Sequence, residues 1–435
     1  MTASPKTQTI DLIWKAWHGN ERLSLPLPAD WEVRVCGMAD APALDDEAIN
    51  AALHTPVAGP TLVDLARRKR EQYGDDLRVC IAVDDLERPT EAWRIVPTLL
   101  DDLNAAGVSD DQVYIVISLG THRPLIREDL LKKLGEPVLE RVRVLNHSPY
   151  QNLVTVGETS YGTPVEINRD YAEAHLKIAV GMLSPHGFAG YSGGGKIVMP
   201  GLAGFNTVLR NHRPVIKGLS GHTGQIKGNT RRAEIEEAAR IAGLDWLVNT
   251  VANSRAETAA VFAGEPEAVF LAAAEVAQRT YRTEVVYHND VAIFNAFPKD
   301  TELIQALNSL NVWTSQKPER LIVKPGGTVV FITAASHGVG THGLFGPGGA
   351  LFVRRDKHGL FADILNGRDV AFFSPNLYRP NFIGIYPPSV RLFREWEPLL
   401  AWLRKKHGTG TRVAVFPTGP LQMAAEDIEA LERAE

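Results

Sequence analysis

The sequence predicts an α/β protein of two α/β domains, and three observations carry that prediction. Short apolar, β-branched runs alternate with amphipathic stretches, which is a βαβ rhythm. A length of 435 residues suits two domains better than one. Polar, charged loops come after the apolar runs at Val83 and Leu119, the places where a parallel sheet presents functional groups.

LRVCIAV, Leu77 to Val83, reads as a strand. In EAWRIVPTLLDDLNAAGV the apolar stripe of Trp93, Val96, Leu99, Leu100 and Leu103 marks a helix, with Gly107 suited to stopping it. QVYIVIS, Gln112 to Ser118, is the next strand. Helical patterns run from Arg231 to Ala242 and from Glu265 to Tyr281, and EVVYHNDVAIFNAF opens a new strand near Glu284. A boundary close to Thr283 makes residues 1–283 an N-terminal, cofactor-binding α/β domain and residues 284–409 a smaller α/β domain. The smaller domain has strands at Gly326 to Ala334 and Asp369 to Ser374, while RVAVFP, Arg412 to Pro417, is a candidate to carry residues 410–435 back to the first domain. No internal repeat or low-complexity tract is evident.

Composition excludes several classes. The chain is 44% hydrophobic and 22% charged, and 46 Lys and Arg against 51 Asp and Glu give a net charge of −5, so no global basic field draws nucleic acid or an anionic membrane. MTASPKTQTIDLIWK lacks a leader-like apolar run, and no stretch of ~18 consecutive apolar residues occurs, so the expected location is the cytoplasm. Cys36 and Cys80 rule out a disulfide framework and any multi-cysteine zinc site; buried free thiols are favoured over a single bridge.

The densest signal is SPHGFAGYSGGGKIVMPG, Ser184 to Gly201. Three successive glycines, Gly193, Gly194 and Gly195, suit a tight turn or a close approach to a ligand, and a helix beginning after them would present amides to a phosphate. A plain surface turn with a solvated Lys196 is the bland alternative. Gly190, Gly195 and Lys196 also satisfy the first part of a P-loop, but Ile197 stands where a Mg²⁺-binding Ser or Thr is required. No clear strand leads into Gly190, so nucleotide hydrolysis ranks below binding of a phosphate-bearing cofactor.

Histidines supply the second signal: His122 in SLGTHRP, His186 before the glycines, and His212 in LRNHRP. A lone loop histidine is commonly a rim residue, but three beside a glycine-rich anion loop carry more weight. DDLERPT adds Asp85 and Arg88, an arginine able to grip a carboxylate or phosphate in bidentate fashion, or to form an ordinary surface ion pair.

Taken together, DDLERP, GTHRP, PHGFAGYSGGGK, the Asn211–His212 pair and QALN at Gln305 resemble the lactate racemase family over about Val83 to Asn308. The resemblance implies a nickel-pincer nucleotide, nickel pyridinium-3,5-bisthiocarboxylic acid mononucleotide, attached at Lys196 through a thioamide, with His212 as the protein's ligand to nickel. It implies that Asp85, Leu86, Glu87 and Arg88 line the cofactor, that Gly193 to Gly195 offer amides to its phosphate, and that Arg88, Gln305 and Asn308 hold substrate. His122 and His186 would be the acid/base pair. One takes the hydroxyl proton as the C2 hydride passes to the cofactor, and return of hydride to either face of the planar 2-oxo acid inverts the centre. The resemblance also implies a cofactor and active-site cleft between the two domains, and as partners a small hydroxy acid and the enzymes that make the cofactor.

This chain departs from the family pattern at two places. The family's Gln-x-x-Lys appears as Gln305, Ala306, Leu307 and Asn308, and a lost charge-assisted contact to a carboxylate costs ~1.5 to 3 kcal/mol, so a larger hydroxy acid or sugar acid is favoured over lactate. Glu87 stands where a threonine is usual. His337 and His342 in SHGVGTHG either face the cleft or belong to an ordinary polar loop. The competing functions are a P-loop-like hydrolase, opposed by Ile197, and a non-catalytic homologue that binds a small ligand, opposed by the presence of Lys196, His212 and both acid/base histidines.

Overall fold

The computed structural model describes residues 7–213, 218–315, 317–357 and 359–434. Two compact units emerge, one from Met1–Asp40 with Tyr281–Glu435 and the other from Ala41–Thr280. The chain thus starts in one unit, leaves it for the other, and returns at Tyr281, whereas the sequence pattern assigned residues 1–283 to one domain.

In chain order, β1 (Thr7–Trp14) and β2 (Glu21–Pro28) form an antiparallel hairpin, succeeded by β3 (Glu32–Val35). The second unit contains α1 (Asp46–His54), β4 (Val79–Asp84), α2 (Ala92–Ala105), β5 (Val113–Ser118), α3 (Arg127–Leu134) and β6 (Arg143–Asn146). It continues with β7 (Leu176–Leu183), α4 (Phe205–His212), α5 (Thr230–Ile241), β8 (Trp246–Ala252), β9 (Thr258–Gly264) and α6 (Pro266–Thr280). Back in the first unit come β10 (Asn289–Asn295), β11 (Val323–Ile332), β12 (Asp369–Phe373), β13 (Arg391–Phe393), α7 (Trp396–His407) and β14 (Arg412–Phe416).

The sheet of the unit Ala41–Thr280 has the order β9-β8-β7-β4-β5-β6, parallel except for the β8–β9 pair. Every residue of β4, VCIAVD, is buried, as a central parallel strand covered on both faces requires. Helix α2 packs on this sheet through Ala92, Ile95, Val96, Leu99, Leu100 and Leu103; Trp93, expected on the same stripe, remains 38% exposed at the helix's first turn. The carboxyl ends of β5, β4 and β7 are neighbours, so the loops after Ser118, Asp84 and Leu183 leave one edge together.

The other sheet, in the unit formed by both chain ends, has the order β13-β12-β11-β10-β14-β3 and is parallel throughout. Alternation along its strands puts Phe294, Phe331, Phe372 and Phe416 on one face and Ile293, Val330, Phe373 and Val415 on the other. Phe294 stacks on Phe416 at 4.7 Å between ring centroids, and Phe331 on Phe372 at 4.8 Å. The β1–β2 hairpin and α7 cover the second face through Ile10, Leu12, Leu25, Leu27, Trp396 and Leu399.

Three sequence expectations change here. β3 pairs with β14, so the first forty residues belong with the C-terminal sheet. β14 itself pairs with β10 and β3 and does not carry residues 410–435 to the other unit. The run opening at Glu284 becomes a strand only at Asn289. Cys36 and Cys80 are buried free thiols, and among the described residues no helix is long and apolar enough to cross a membrane.

A local ion pair in the second unit gives a pH-dependent contribution to stability. His54 at the end of α1 has Nε2 2.9 Å from Asp102 Oδ1 on α2 and Nδ1 2.8 Å from Asn50 O. The Asp102 hydrogen bond, partly opposed by burial, raises the imidazole pKa above 6.5. Folding therefore favours the imidazolium: the pair stabilises fully below the unfolded value, and that contribution disappears as pH rises through the raised folded value. Thermal melts of His54→Ala should show a loss equivalent to ~0.2–1 kcal/mol on the acid side, as for an exposed pair, and none in alkaline buffer. Equal losses at both pH values would assign the effect to packing instead.

Candidate active site

The loop leaving β4 begins with two buried carboxylates that do different work. Asp84 turns inward, where its Oδ2 accepts the Thr90 hydroxyl at 2.6 Å and the Met182 amide of β7 at 3.0 Å. Asp85 faces the loop after β5: its Oδ2 lies 2.6 Å from His122 Nδ1, and its Oδ1 accepts the Glu87 amide at 3.0 Å. The turn that presents His122 closes with its amide on Leu119 O at 2.9 Å, and Gly120 has a φ of +54° with its amide on Gly201 O at 2.8 Å.

A carboxylate can only accept, so the His122 hydrogen on that side sits on Nδ1. Burial disfavours the imidazolium, but the charge and hydrogen bond of Asp85 outweigh it and raise the His122 pKa above 6.5. Burial likewise pushes the Asp85 carboxyl up, yet His122, Arg88 and Lys133 together hold it below its ordinary value. Arg88 is half-buried and donates to Glu87 O at 3.0 Å, while Leu86 and Glu87 are buried.

His186 leaves the end of β7 in a minimal hairpin, Pro185–His186 against Gly190–Tyr191. Gly190 is required there: it has a φ of +74°, and a Cβ would sit 2.1 Å from Gln225 O. The Ala189 amide donates to His186 Nδ1 at 3.3 Å, and His186 Nε2 is 3.4 Å from Lys196 Nζ. Phe188 stands between two imidazoles, edge-on to His186 at 4.5 Å and to His212 at 4.9 Å, with Lys196 Nζ 5.7 Å from its centroid.

The glycines serve packing rather than an open anion cradle. Gly194 N–H donates to Asn249 Oδ1 at 2.9 Å, and Gly195 N–H donates to the Glu236 carboxylate at 3.0 Å. A Cβ on Gly193 would lie 2.6 Å from Leu183 Cδ1, and one on Gly195 2.9 Å from Ala239 Cβ of α5. The chain then makes a four-residue 3-10 turn, Gly194–Ile197, too short to present the free N-terminus that a phosphate site or a P-loop needs. Arg232 of α5 locks the loop from beneath by donating to Ala189 O, Gly193 O and Tyr191 O, and it pairs with Glu236 at 2.8 Å. Of the three glycine amides expected to meet a phosphate, those of Gly194 and Gly195 are thus taken up by Asn249 and Glu236.

His212 closes α4. Its Nδ1 lies 3.0 Å from Val208 O, so the hydrogen is on Nδ1 and Nε2 carries the lone pair, the posture of a metal-binding imidazole. Burial, reinforced by the nearby positive charge of Lys196, lowers its pKa to about 3, which keeps the ring neutral. Arg231 holds the adjoining backbone through Asn211 O and, at 2.7 Å, Arg213 O. Among the described residues, no group of three or more His, Cys, Asp or Glu is arranged to hold a metal. A neutral imidazole of this kind is a donor that nickel accepts.

Asp85, His122, His186, Lys196 and His212 all belong to the unit Ala41–Thr280. Gln305 and Asn308 lie in the other unit, on the 3-10 helix Leu303–Leu310, where Asn308 Nδ2 donates to Gln305 Oε1 at 2.7 Å and to Gln305 O at 3.0 Å. His337 Nε2 is 3.2 Å from His18 Nε2 in that unit, and His342 Nδ1 accepts the Leu344 amide at 3.1 Å within its own loop. Phe188, Lys133, Asn249 and the Arg232–Glu236 pair were not singled out in the sequence. Phe188 lies inside the motif already noted, whereas the rest have no local signal.

The loops at one edge of this mostly parallel sheet carry an imidazole oriented by a carboxylate and a second imidazole beside a lysine amine, an arrangement found in α/β enzymes. Residues 18–224 match the family described as the lactate racemase N-terminal domain. Lactate racemase from Lactiplantibacillus plantarum is 28% identical over 306 residues, 69% of either chain. That from Thermoanaerobacterium thermosaccharolyticum is 26% identical over 339 residues, 75% of this chain and 76% of the other. The fold is that of the lactate racemase apoprotein from the latter organism, with a TM-score of 0.72 at 21% identity over 96% of this chain and all of that one. A Thermotoga maritima crystal structure is also similar, with a TM-score of 0.58 at 16% identity, covering 88% and 99% of the two chains. Over most of its length the chain is thus similar to lactate racemases, which are isomerases.

Proposed function

We propose that this protein inverts the hydroxyl-bearing carbon of a 2-hydroxy acid, a sugar acid or a related secondary alcohol, using a nickel-pincer nucleotide carried on Lys196. The observation that best supports this reading is that His122 and His186 stand on loops from one sheet edge, with Lys196 beside His186 and Phe188 between the rings of His186 and His212. When bound, the nucleotide would supply reversible acceptance of the C2 hydride.

The chain's own residues do the rest. Lys196 would hold the nucleotide, His212 Nε2 would ligate its nickel, and Asp85, Leu86, Glu87 and Arg88 would line it. His122, held by Asp85, and His186, held by the Ala189 amide, would each take or return the hydroxyl proton of one enantiomer. Arg88, Gln305 and Asn308 would orient the substrate. The reaction would run in the cytoplasm, beside the enzymes that make the cofactor.

An intact and peptide-level mass spectrum with a nickel assay tests this, on protein made together with the cofactor's biosynthetic enzymes and a known racemase as loading control. An adduct on Lys196 with bound nickel is the expected result. No adduct when the control loads fully would turn the reading to a binding protein.

Asn308 sets the substrate expectation. Its amide hydrogens go to Gln305, so its carbonyl oxygen is the atom left for a ligand, and an acceptor suits a hydroxyl better than a carboxylate. Asn308→Lys should raise kcat/KM for lactate by about 10- to 100-fold, the equivalent of the ~1.5 to 3 kcal/mol of a charge-assisted contact. No change in a side-by-side assay of lactate and longer hydroxy acids would remove Asn308 from substrate selection.

A further inference from the structure

From its contacts we infer that Lys133 is a positioning residue for the acid/base machinery: a buried cation that pins the loop carrying Asp85 and so holds Asp85 against His122. The inference rests on the acid/base role proposed for His122.

Lys133 lies on α3, in the sequence LLKKL, and is 0% exposed. Its ammonium is 2.6 Å from Asp84 Oδ1 and donates to Asp85 O and Arg88 O, both at 3.0 Å. Asp84 closes β4, and the two carbonyls belong to the turn that follows it. The contacts bracket Asp85, fixing the residue before it, its own carbonyl and the far end of the turn.

Burial pushes the Lys133 ammonium down and the Asp84 carboxyl up, while each supports the other's charge. An apolar side chain of similar length would fill this space without desolvating two charges. What such a side chain lacks is any means of gripping backbone carbonyls on either side of Asp85. The adjoining Asp85–His122 contact is 2.6 Å, a separation that a small loop displacement would open.

Lys133→Met tests the assignment, paired with the double variant Lys133→Met, Asp84→Asn, which leaves no unpaired buried carboxylate; whichever folds, judged by its melting transition, carries the test. The first readout is the downfield proton signal of the His122 Nδ1–H in the full chain without cofactor, assigned by its absence in His122→Asn. It should be lost or broadened. The second is turnover by the loaded enzyme, where kcat should fall about 10- to 100-fold with KM changed less than about threefold. A folded variant that keeps both the signal and kcat overturns the assignment, since a purely structural lysine would move only the melting temperature. Loss of the signal in a variant whose loaded wild type inverts no hydroxy acid would uphold the positioning role and sink the proposed reaction instead.

Discussion

Replacing His122 or His186 with alanine should lower the rate of inversion by about 10²- to 10⁴-fold, the range for loss of a general acid or base, with the Lys196 adduct and nickel content unchanged. Both losses are expected in both directions, because each enantiomer needs one histidine as base and the return step needs the other as acid. The two rings differ in how they are held. His122 leans on a buried carboxylate that raises its pKa, whereas His186 is fixed by a backbone amide on Nδ1. In the direction that uses His122 as base, the rate should therefore climb with pH through a value above 6.5, since only the neutral ring can accept a proton. Asp85→Asn removes the charge favouring the imidazolium, so that limb should move to lower pH. Chiral chromatography of the product against time, repeated across pH, reads all of this. Full activity in both alanine variants would remove the pair from the mechanism, and an unmoved limb in Asp85→Asn would assign that titration to another group.

The separation between legible and illegible features tracks the range of the interactions. Val79–Asp84 and Val113–Ser118 were readable because a fully buried parallel strand is a continuous apolar run, a local property. The site loops were readable for a related reason: they leave the ends of those strands, and their short polar strings sit at fixed distances from them. The membership of residues 1–40 was not readable. β3 is four residues long and mostly exposed, and its partner β14 lies some 380 positions away in the chain, by the difference between Arg412 and Glu32. Its placement is a pairing choice with no local trace.

The glycines and lysines show the same division at the level of single residues. GGGK signals that the chain is tight somewhere, but a triple glycine cannot say whether it approaches a phosphate or a protein helix. Glu236 and Asn249 decide that, and both come from elements far along the chain. Lys133 and Lys132 are adjacent in an ordinary amphipathic helix, yet only Lys133 is fully buried. The reason is Asp84, which is legible as an acidic strand end but not as the partner of that lysine.

Lys196→Arg should abolish the adduct altogether, reduce bound nickel to background and eliminate inversion, while the melting temperature of the chain without cofactor stays close to wild type. Arginine keeps a cation in the loop but supplies no primary amine to be acylated. His186 Nε2 lies 3.4 Å from Lys196 Nζ. The mount beneath it, built from Arg232, Glu236 and Asn249, does not involve the lysine side chain, so folding should survive the change. Peptide-level mass spectra, nickel content and thermal melts on the same preparations decide the matter. If the adduct persists on another residue of the arginine variant, the attachment point is wrong although the cofactor is right. If wild type and variant carry equal nickel and invert substrate equally, covalent attachment at Lys196 plays no part in the chemistry of this chain.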